Sequence, residues 1–295
     1  MIIALTGAFG SLGKELTPYF EELGHTVLQI SSSRVSNNKN IFSFHDLQNR
    51  SIKKSVDLLI HLASHNSNMS EDQIPEEVKL LEDVLFSMSS LNCNKLIFLS
   101  SAKVYGDNSL DYKIFNESSS LEPVCSYGKA KKQCEYTIIN SSTKLNMHAL
   151  ILRLPPILNW ASGSSIINLI NFANSSYFMP TFKIGNENHR SFLSIDNLKK
   201  AMTFLTSNQD FFSGVKIYNL SDEGVVSIND VLSFRRKNHL IHFPNIIFSI
   251  FIRLPILKSF LLRLYGNFVV DNSKLKSDMN VTLISTKDSI SIIQE

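Results

Sequence analysis

A short apolar run, Ile2-Ile3-Ala4-Leu5, leads directly into Thr6-Gly7-Ala8-Phe9-Gly10-Ser11-Leu12-Gly13, and no other feature of the chain limits its fold so tightly. Three glycines spaced by three let a backbone turn sharply, approach a pyrophosphate closely and seat the next helix against the strand. The helix start that follows offers free N–H groups and the positive end of its dipole to phosphate oxygens. Gly7, Phe9, Gly10, Ser11, Leu12 and Gly13 are therefore expected to cradle a dinucleotide at the first strand-to-helix turn.

Beyond that turn, apolar runs alternate with segments of helical period over the first two-thirds of the chain, the pattern of successive βαβ units. Strands are expected at Ile2–Thr6, Thr26–Ile30, Asp57–Leu62, Lys95–Ser100 and Ala149–Leu154, with helices at Leu12–Leu23, Glu71–Leu91 and Ser126–Asn140. Leu12, Leu16, Tyr19, Phe20 and Leu23 share one face of the first helix, and Pro18 is expected to bend its middle turn. After residue 155 the alternation lapses into helices at Ser162–Ser175 and Asn197–Thr206 and a strand at Lys216–Asn219. With 295 residues, 43 % of them hydrophobic, the chain can bury a sizeable core. The fold expected is α/β: a Rossmann-type doubly wound parallel sheet over residues 1–155, with a smaller C-terminal lobe over 156–295 interleaved with it.

Twenty-nine Lys and Arg against 26 Asp and Glu leave a net charge of only +3, which argues against a nucleic-acid binder with its basic stripe. Cys93, Cys125 and Cys134 show neither CxxC nor metal-ligand spacing, so no disulfide frame or metal site is read, and a reducing, cytoplasmic setting is expected. The N-terminus leaves no room for a charged region followed by a long apolar one, so no signal peptide is read. Phe243 to Tyr265 is strongly apolar, but Arg253, Pro255, Lys258 and Arg263 break it below the roughly 18–20 residues a membrane span needs. Two helices meeting near Leu254-Pro255 and packing on the small lobe are expected there, and a basic amphipathic surface that touches a membrane is the alternative.

Cofactor choice is read at the end of the second strand. An NAD-binding chain usually places an acidic residue there for the adenosine ribose. This chain has Ser31-Ser32-Ser33-Arg34 instead, with no carboxylate to repel a 2′-phosphate and a guanidinium to bind one. NADP(H) is favoured on that ground, and NAD(H) is the alternative.

Tyr127-Gly128-Lys129-Ala130-Lys131 sets a tyrosine and a lysine one helical turn apart on the same face. A neighbouring ammonium stabilises the phenolate and makes the tyrosine a usable acid and base. Ser100-Ser101 follows the fourth strand, where a serine at the strand's C-terminal end can hold a substrate oxygen beside the phenol. Ser101, Tyr127 and Lys131 are the catalytic candidates.

Taken together, these motifs make the chain resemble the extended short-chain dehydrogenase/reductase family of nucleotide-sugar epimerases, dehydratases and reductases. Besides the glycine loop and Tyr127-x-x-x-Lys131, the matching residues are Asp46-Leu47, Asp57 to Ala63, Ser100-Ser101-x-x-Val104-Tyr105-Gly106, Glu135 and Arg153. Asn188 to Leu198, and Arg263 with Val270-Asp271-x-Ser273-Lys274, resemble segments of the family's substrate lobe. The resemblance implies that Asp46, with Leu47, meets the adenine. It implies that Leu62, Ala63, Ser64 and Pro155 line the cofactor, and that Lys131 also binds the nicotinamide ribose. Ser101 and Tyr127 would share the substrate oxygen, Arg190 and Arg263 would clamp a nucleotide diphosphate, and Lys103 would touch substrate. The family implies a small nucleotide-sugar substrate and admits a homodimer.

Three departures narrow the chemistry. Ala102-Lys103 stands where family dehydratases carry an Asp-Glu pair, so elimination of water lacks its acid and base. Glu77 replaces the helix asparagine that usually faces the cofactor, and Pro156-Ile157-Leu158-Asn159 replaces an Asn-x-x-Gly contact. The function expected is reduction of a 4-keto nucleotide sugar in surface-polysaccharide biosynthesis. The alternatives are a 4-epimerase with retained NAD and a non-catalytic NADPH-binding regulator, against which the complete Ser101, Tyr127 and Lys131 set argues.

Overall fold

The computed structural model describes residues 1–32, 38–65, 68–158, 178–233 and 239–292. The chain divides into two compact units, the first made of Met1–Gly106, Ser120–Leu154 and Met202–Tyr218, the second of Asp107–Ser119, Pro155–Ala201 and Asn219–Glu295.

In the first unit seven strands form one sheet: β1 (Ile2–Thr6), β2 (Thr26–Ser31), β3 (Ile41–Ser43), β4 (Leu58–His61), β5 (Lys95–Ser101), β6 (His148–Leu154) and β7 (Val215–Asn219). Their spatial order is β7-β6-β5-β4-β1-β2-β3, and every pairing from β3 across to β6 is parallel. Strands buried on both faces explain the unbroken apolar runs that marked them in the sequence. Helices α1 (Ser11–Glu22), α2 (Phe44–Gln48), α3 (Ile74–Ser87) and α4 (Ser126–Ser142) belong to the same unit. Leu81, Val84 and Leu85 of α3 and Cys134 and Ile138 of α4 pack with Ala4, Leu28, Leu59, Phe98 and Ile151 of the sheet in one core. This is the expected Rossmann-type α/β fold. Its strand order reverses between β1 and β4, the switch point where such sheets bind ligands.

Differences from expectation are local and have causes. α1 runs unbroken through Pro18, which is exposed and takes away the helical donor of the Lys14 carbonyl. The helix expected over Glu71–Leu91 begins as a 3₁₀ turn, Glu71–Gln73, and becomes α-helical where Pro75 suits a first turn. β3 was not expected: three residues are too few to show a period. The strand read at Lys216–Asn219 is the seventh of the main sheet, hydrogen-bonded to its edge through Ala149 N and Gly214 O at 2.9 Å.

The second unit is organised by a buried carboxylate. Asp222 accepts hydrogen bonds from Ser194 N (2.7 Å), Ser194 Oγ (2.9 Å), Asn197 Nδ2 (2.7 Å) and Thr286 Oγ1 (3.1 Å). Burial pushes its carboxyl up, and these donors work against that rise. The helix α5 (Ile195–Ser207) starts at this network. Phe178–Phe182 pairs in parallel with His239–Phe243. The helices α6 (Ile228–Ser233), α7 (Asn245–Phe251) and α8 (Pro255–Tyr265) contribute to one apolar cluster with Phe182 at its centre. α7 and α8 are the two helices expected around Leu254-Pro255. The helix read at Ser162–Ser175 lies outside the described residues. Among the described residues no helix is long and apolar enough to cross a membrane.

Candidate active site

The site is assembled at the switch point. Gly7 has φ +71°, and its N–H donates to Ile30 O at 2.9 Å. A Cβ on Gly7 would lie 2.7 Å from Ala63 N, so only glycine lets the loop press against the segment after β4. A Cβ on Gly13 would lie 2.3 Å from Gly7 O, which is the close helix–strand contact the third glycine permits. At Gly10 an added Cβ would meet only Gly7 O, at 3.1 Å, so the outward face of the loop is open. Gly10 is also the N-cap of α1 and brings no side chain to the helix's first amides. An open loop backed by uncapped amides fits a pyrophosphate. Phe9 and Ser11 are exposed beside it, and Leu12 is half-buried.

Beside the loop, Thr6 Oγ1 meets His61 Nδ1 at 2.7 Å and accepts from Ala63 N at 3.3 Å. Burial, followed by the nearby Lys131, pushes the His61 imidazole down to about 3. His61 is therefore neutral and structural, stacked on Phe98 at 5.8 Å. The chain then runs through half-buried Leu62 and Ala63 to Ser64.

Here the structure shows a partner that spacing did not reveal. Glu77, on the first turn of α3 and 1 % exposed, accepts from Ser64 Oγ (2.5 Å), His65 N (2.8 Å) and Lys131 Nζ (3.0 Å). Burial alone would raise the Glu77 carboxyl; Lys131, Ser64 and the His65 amide outweigh it and hold it below the ordinary range. Burial likewise pulls Lys131 down, and Tyr127 and Glu77 together leave it raised. The resemblance marks Glu77 as the position facing the cofactor, but nothing in the acidic first turn it shares with exposed Glu76 names Lys131 as its partner.

Tyr127 and Lys131 occupy one face of α4, with the ammonium 5.7 Å from the tyrosine ring centroid and 4.8 Å from that of Phe98. Burial pushes the Tyr127 phenol up; Lys131 pulls it down and Glu77 pushes it up again, leaving it raised. Gly128 makes this placement possible, because a Cβ there would lie 2.6 Å from Lys103 O. Ser101 ends β5 and caps the 3₁₀ turn Ala102–Tyr105, its Oγ accepting from Lys103 N at 3.2 Å, while Lys103 itself is half-buried. Beneath them Ser100 Oγ donates to Glu135 Oε1 at 2.5 Å. Arg153 forks onto Glu135 and donates to Tyr105 Oη at 3.0 Å, which locks the strand ends.

Other candidates have visible partners. Asp46 forms a capping box, accepting from Ser43 N and Ser43 Oγ at 2.8 Å each, and Leu47 is buried behind it. Ser31 is buried at the end of β2 and Ser32 is exposed, while Arg34 lies outside the described residues. In the second unit Pro155 is buried, Arg263 is exposed on α8, and Arg190 is buried. Arg190 Nη1 donates to the carbonyls of Arg263 and of Leu264 (3.0 Å) at the end of α8. Its Nε has no hydrogen-bond partner among the described residues, and burial lowers the guanidinium to about 10. Among the described residues no group of His, Cys, Asp or Glu is placed to hold a metal ion.

Known structures share this architecture. A UDP-N-acetylglucosamine 4-epimerase from Bacillus cereus superposes with a TM-score of 0.78 at 17 % identity, covering 100 % of this chain and 98 % of that one. A UDP-glucose 4-epimerase from Brucella ovis in complex with NAD gives 0.74 at 13 %, covering 98 % and 95 %. MoeE5 in complex with UDP-glucose and NAD gives 0.75 at 16 %, covering 99 % and 96 %. No curated protein sequence matches the chain. The family model described as the NAD dependent epimerase/dehydratase family matches residues 3–221, from β1 to just beyond β7 and across every residue of the Ser101, Tyr127 and Lys131 site, and the chain belongs to that family.

Proposed function

We propose that the protein catalyses NAD(P)-dependent oxidoreduction at C4 of a nucleotide-activated sugar, a UDP-sugar, and that it works as a 4-keto-sugar reductase in surface-polysaccharide biosynthesis. The observation that carries the direction is the Glu77–Lys131 ion pair beside Tyr127. A tyrosine that must first take a proton from substrate is served by an unanswered ammonium, which stabilises the phenolate. Here Glu77 answers the ammonium at 3.0 Å, and the phenol keeps its proton. That state suits donation to a ketone oxygen.

A nicotinamide bound along the glycine loop supplies the hydride. Tyr127 gives its phenolic proton to the carbonyl oxygen as the carbon is reduced, and Ser101 hydrogen-bonds the same oxygen to fix the substrate's pose. Lys131 holds the tyrosine's field and donates to ribose hydroxyls. Arg263, and Arg190 through its unpartnered Nε–H, are the candidates for the substrate's diphosphate, where guanidinium geometry suits phosphate oxygens.

A second reading, a nucleotide-sugar 4-epimerase that retains NAD, is supported by the Bacillus cereus and Brucella ovis neighbours, both 4-epimerases. Extracting the purified protein and assaying the released nucleotide separates the two. Protein that arrives empty and then binds NADPH agrees with a reductase; near-stoichiometric NAD moves the epimerase ahead.

Cofactor preference gives an independent test. With Ser31 to Arg34 in place of an acidic residue, NADPH should bind more tightly than NADH, by roughly ten- to a hundredfold for one partly exposed arginine–phosphate contact. Arg34→Ala should weaken NADPH alone, and Ser31→Asp should reverse the order by repelling the 2′-phosphate. Paired dissociation constants at one fixed salt concentration decide it. A wild type that prefers NADH, or an Arg34→Ala loss shared equally by both cofactors, would remove the loop from the argument.

A further inference from the structure

α8 is apolar on two sides. Leu261 and Tyr265 are buried in the cluster around Phe182, and Leu257 and Leu264 pack against it. Ile256 and Phe260, four residues apart and so on one face, turn away from that cluster, and Ile256 is 91 % exposed. α7 repeats the arrangement. Phe248 is buried in the same cluster, 5.6 Å from the Tyr265 ring, while Ile246 and Ile250 are exposed, Ile246 by 70 %. Because both helices lie on one cluster, their exposed stripes are turned outward from it, and exposed Leu254 lies between them, while Phe251 stays in ring contact with Phe182. Among the described residues, eight of the eighteen large exposed hydrophobic side chains fall between Ile241 and Phe260. Single exposed apolar residues need no explanation, but such a concentration on two successive helices marks a surface that something covers.

The charge on this segment says what. From Val231 to Val270 the chain contains no Asp or Glu, and it carries Arg235, Arg236, Lys237, Arg253, Lys258 and Arg263. In a chain whose whole net charge is +3, that concentration is local. Arg253 and Lys258 are exposed beside the apolar stripes. A second copy of the chain, paired through a two-fold axis, would bring these uncompensated cations against their own mates. An anionic lipid surface instead takes the apolar side chains into its headgroup and acyl boundary while its phosphates answer the cations.

We infer that the exposed face of α7 and α8 docks this protein on an anionic membrane surface, with Ile246, Ile250, Ile256 and Phe260 inserted and Arg253 and Lys258 at the phosphates. The helices lie in the interface and do not span it. This inference is independent of the oxidoreductase reading, since it uses neither the cofactor loop nor Tyr127.

Vesicle flotation of the full chain tests it, with phosphatidylcholine alone and with equal parts phosphatidylcholine and phosphatidylglycerol. The wild type should float with the anionic vesicles and much less with the neutral ones, and high salt should weaken the binding. Ile256→Ser/Phe260→Ser removes two inserted side chains and should lower partitioning by roughly tenfold or more. Arg253→Gln/Lys258→Gln should lower it by roughly tenfold on anionic vesicles only. All four side chains are exposed, so unchanged melting confirms that both variants are folded. No flotation of the wild type, equal flotation with both vesicle types, or a serine variant that floats like wild type would each overturn the inference. A dimer in sedimentation velocity that the serine variant dissociates, with no vesicle binding, assigns the face to a second copy instead.

Discussion

Tyr127→Phe should lower turnover by about 10²–10⁴ while leaving cofactor affinity nearly unchanged. The phenolic oxygen is the only heavy atom removed. The ring still packs against Met69, Ile74 and Ala130, and Lys131 keeps its place because Glu77, not Tyr127, supplies its short contact. The loss should therefore fall on the chemical step and not on folding. Assays of the 4-ketone reduction and the 4-epimerisation of UDP-sugars, with a calorimetric cofactor titration, measure both halves. The wild-type pH profile adds a check. Burial, then Lys131 against it, then Glu77 leave the phenol raised, so a rate that needs the protonated tyrosine should hold through neutral pH and fall only on the alkaline side. Turnover like wild type in Tyr127→Phe would take the residue out of the mechanism.

Glu77→Gln should be strongly destabilising. It leaves one acceptor oxygen where Glu77 uses two, Oε1 for Ser64 and Lys131 and Oε2 for His65 N, and it strips the Lys131 ammonium, 2 % exposed, of its counter-charge. Breaking one side of a buried ion pair costs about 3–5 kcal/mol, because the remaining charge stays desolvated. Chemical denaturation should show that loss as a lower midpoint. Adding Lys131→Met should recover much of it without restoring activity, a non-additive cycle that isolates the pair. Strict additivity of the two changes would mean that the residues do not interact. The acid side carries the same signature. The Glu77 pKa in the folded protein lies below its unfolded value, so its contribution is complete above the unfolded pKa and drains as pH falls through the folded one. Glu77→Gln should flatten that acid limb.

The strand-to-helix turn at Gly7–Gly13 shows why so much of the fold was readable. Its requirements are local: Gly7 needs positive φ, and Gly13 must admit a backbone neighbour within a few residues. β1, β2, β5 and β6 were equally legible because they are largely buried on both faces, which makes them predominantly apolar. Tyr127 and Lys131 were legible because one helical turn sets their spacing. β3 was not, since its three residues are held by pairing with Gln29, Ile30 and Ser31 and not by any pattern of their own.

The sequence by itself therefore determined the α/β class, the glycine turn at Gly7–Gly13 and the one-turn spacing of Tyr127 and Lys131, all of which depend on interactions within one strand, turn or helix. Only the tertiary structure decided that Glu77, a position the family pattern already marks, answers Lys131 across 54 positions of chain. It alone showed that Val215–Asn219 completes the main sheet and that Arg190 spends part of its guanidinium on the end of α8. Asp46 is likewise committed to its capping box. A buried charge is stabilised by whichever opposite charge the fold brings to it, and periodicity carries no record of that partner.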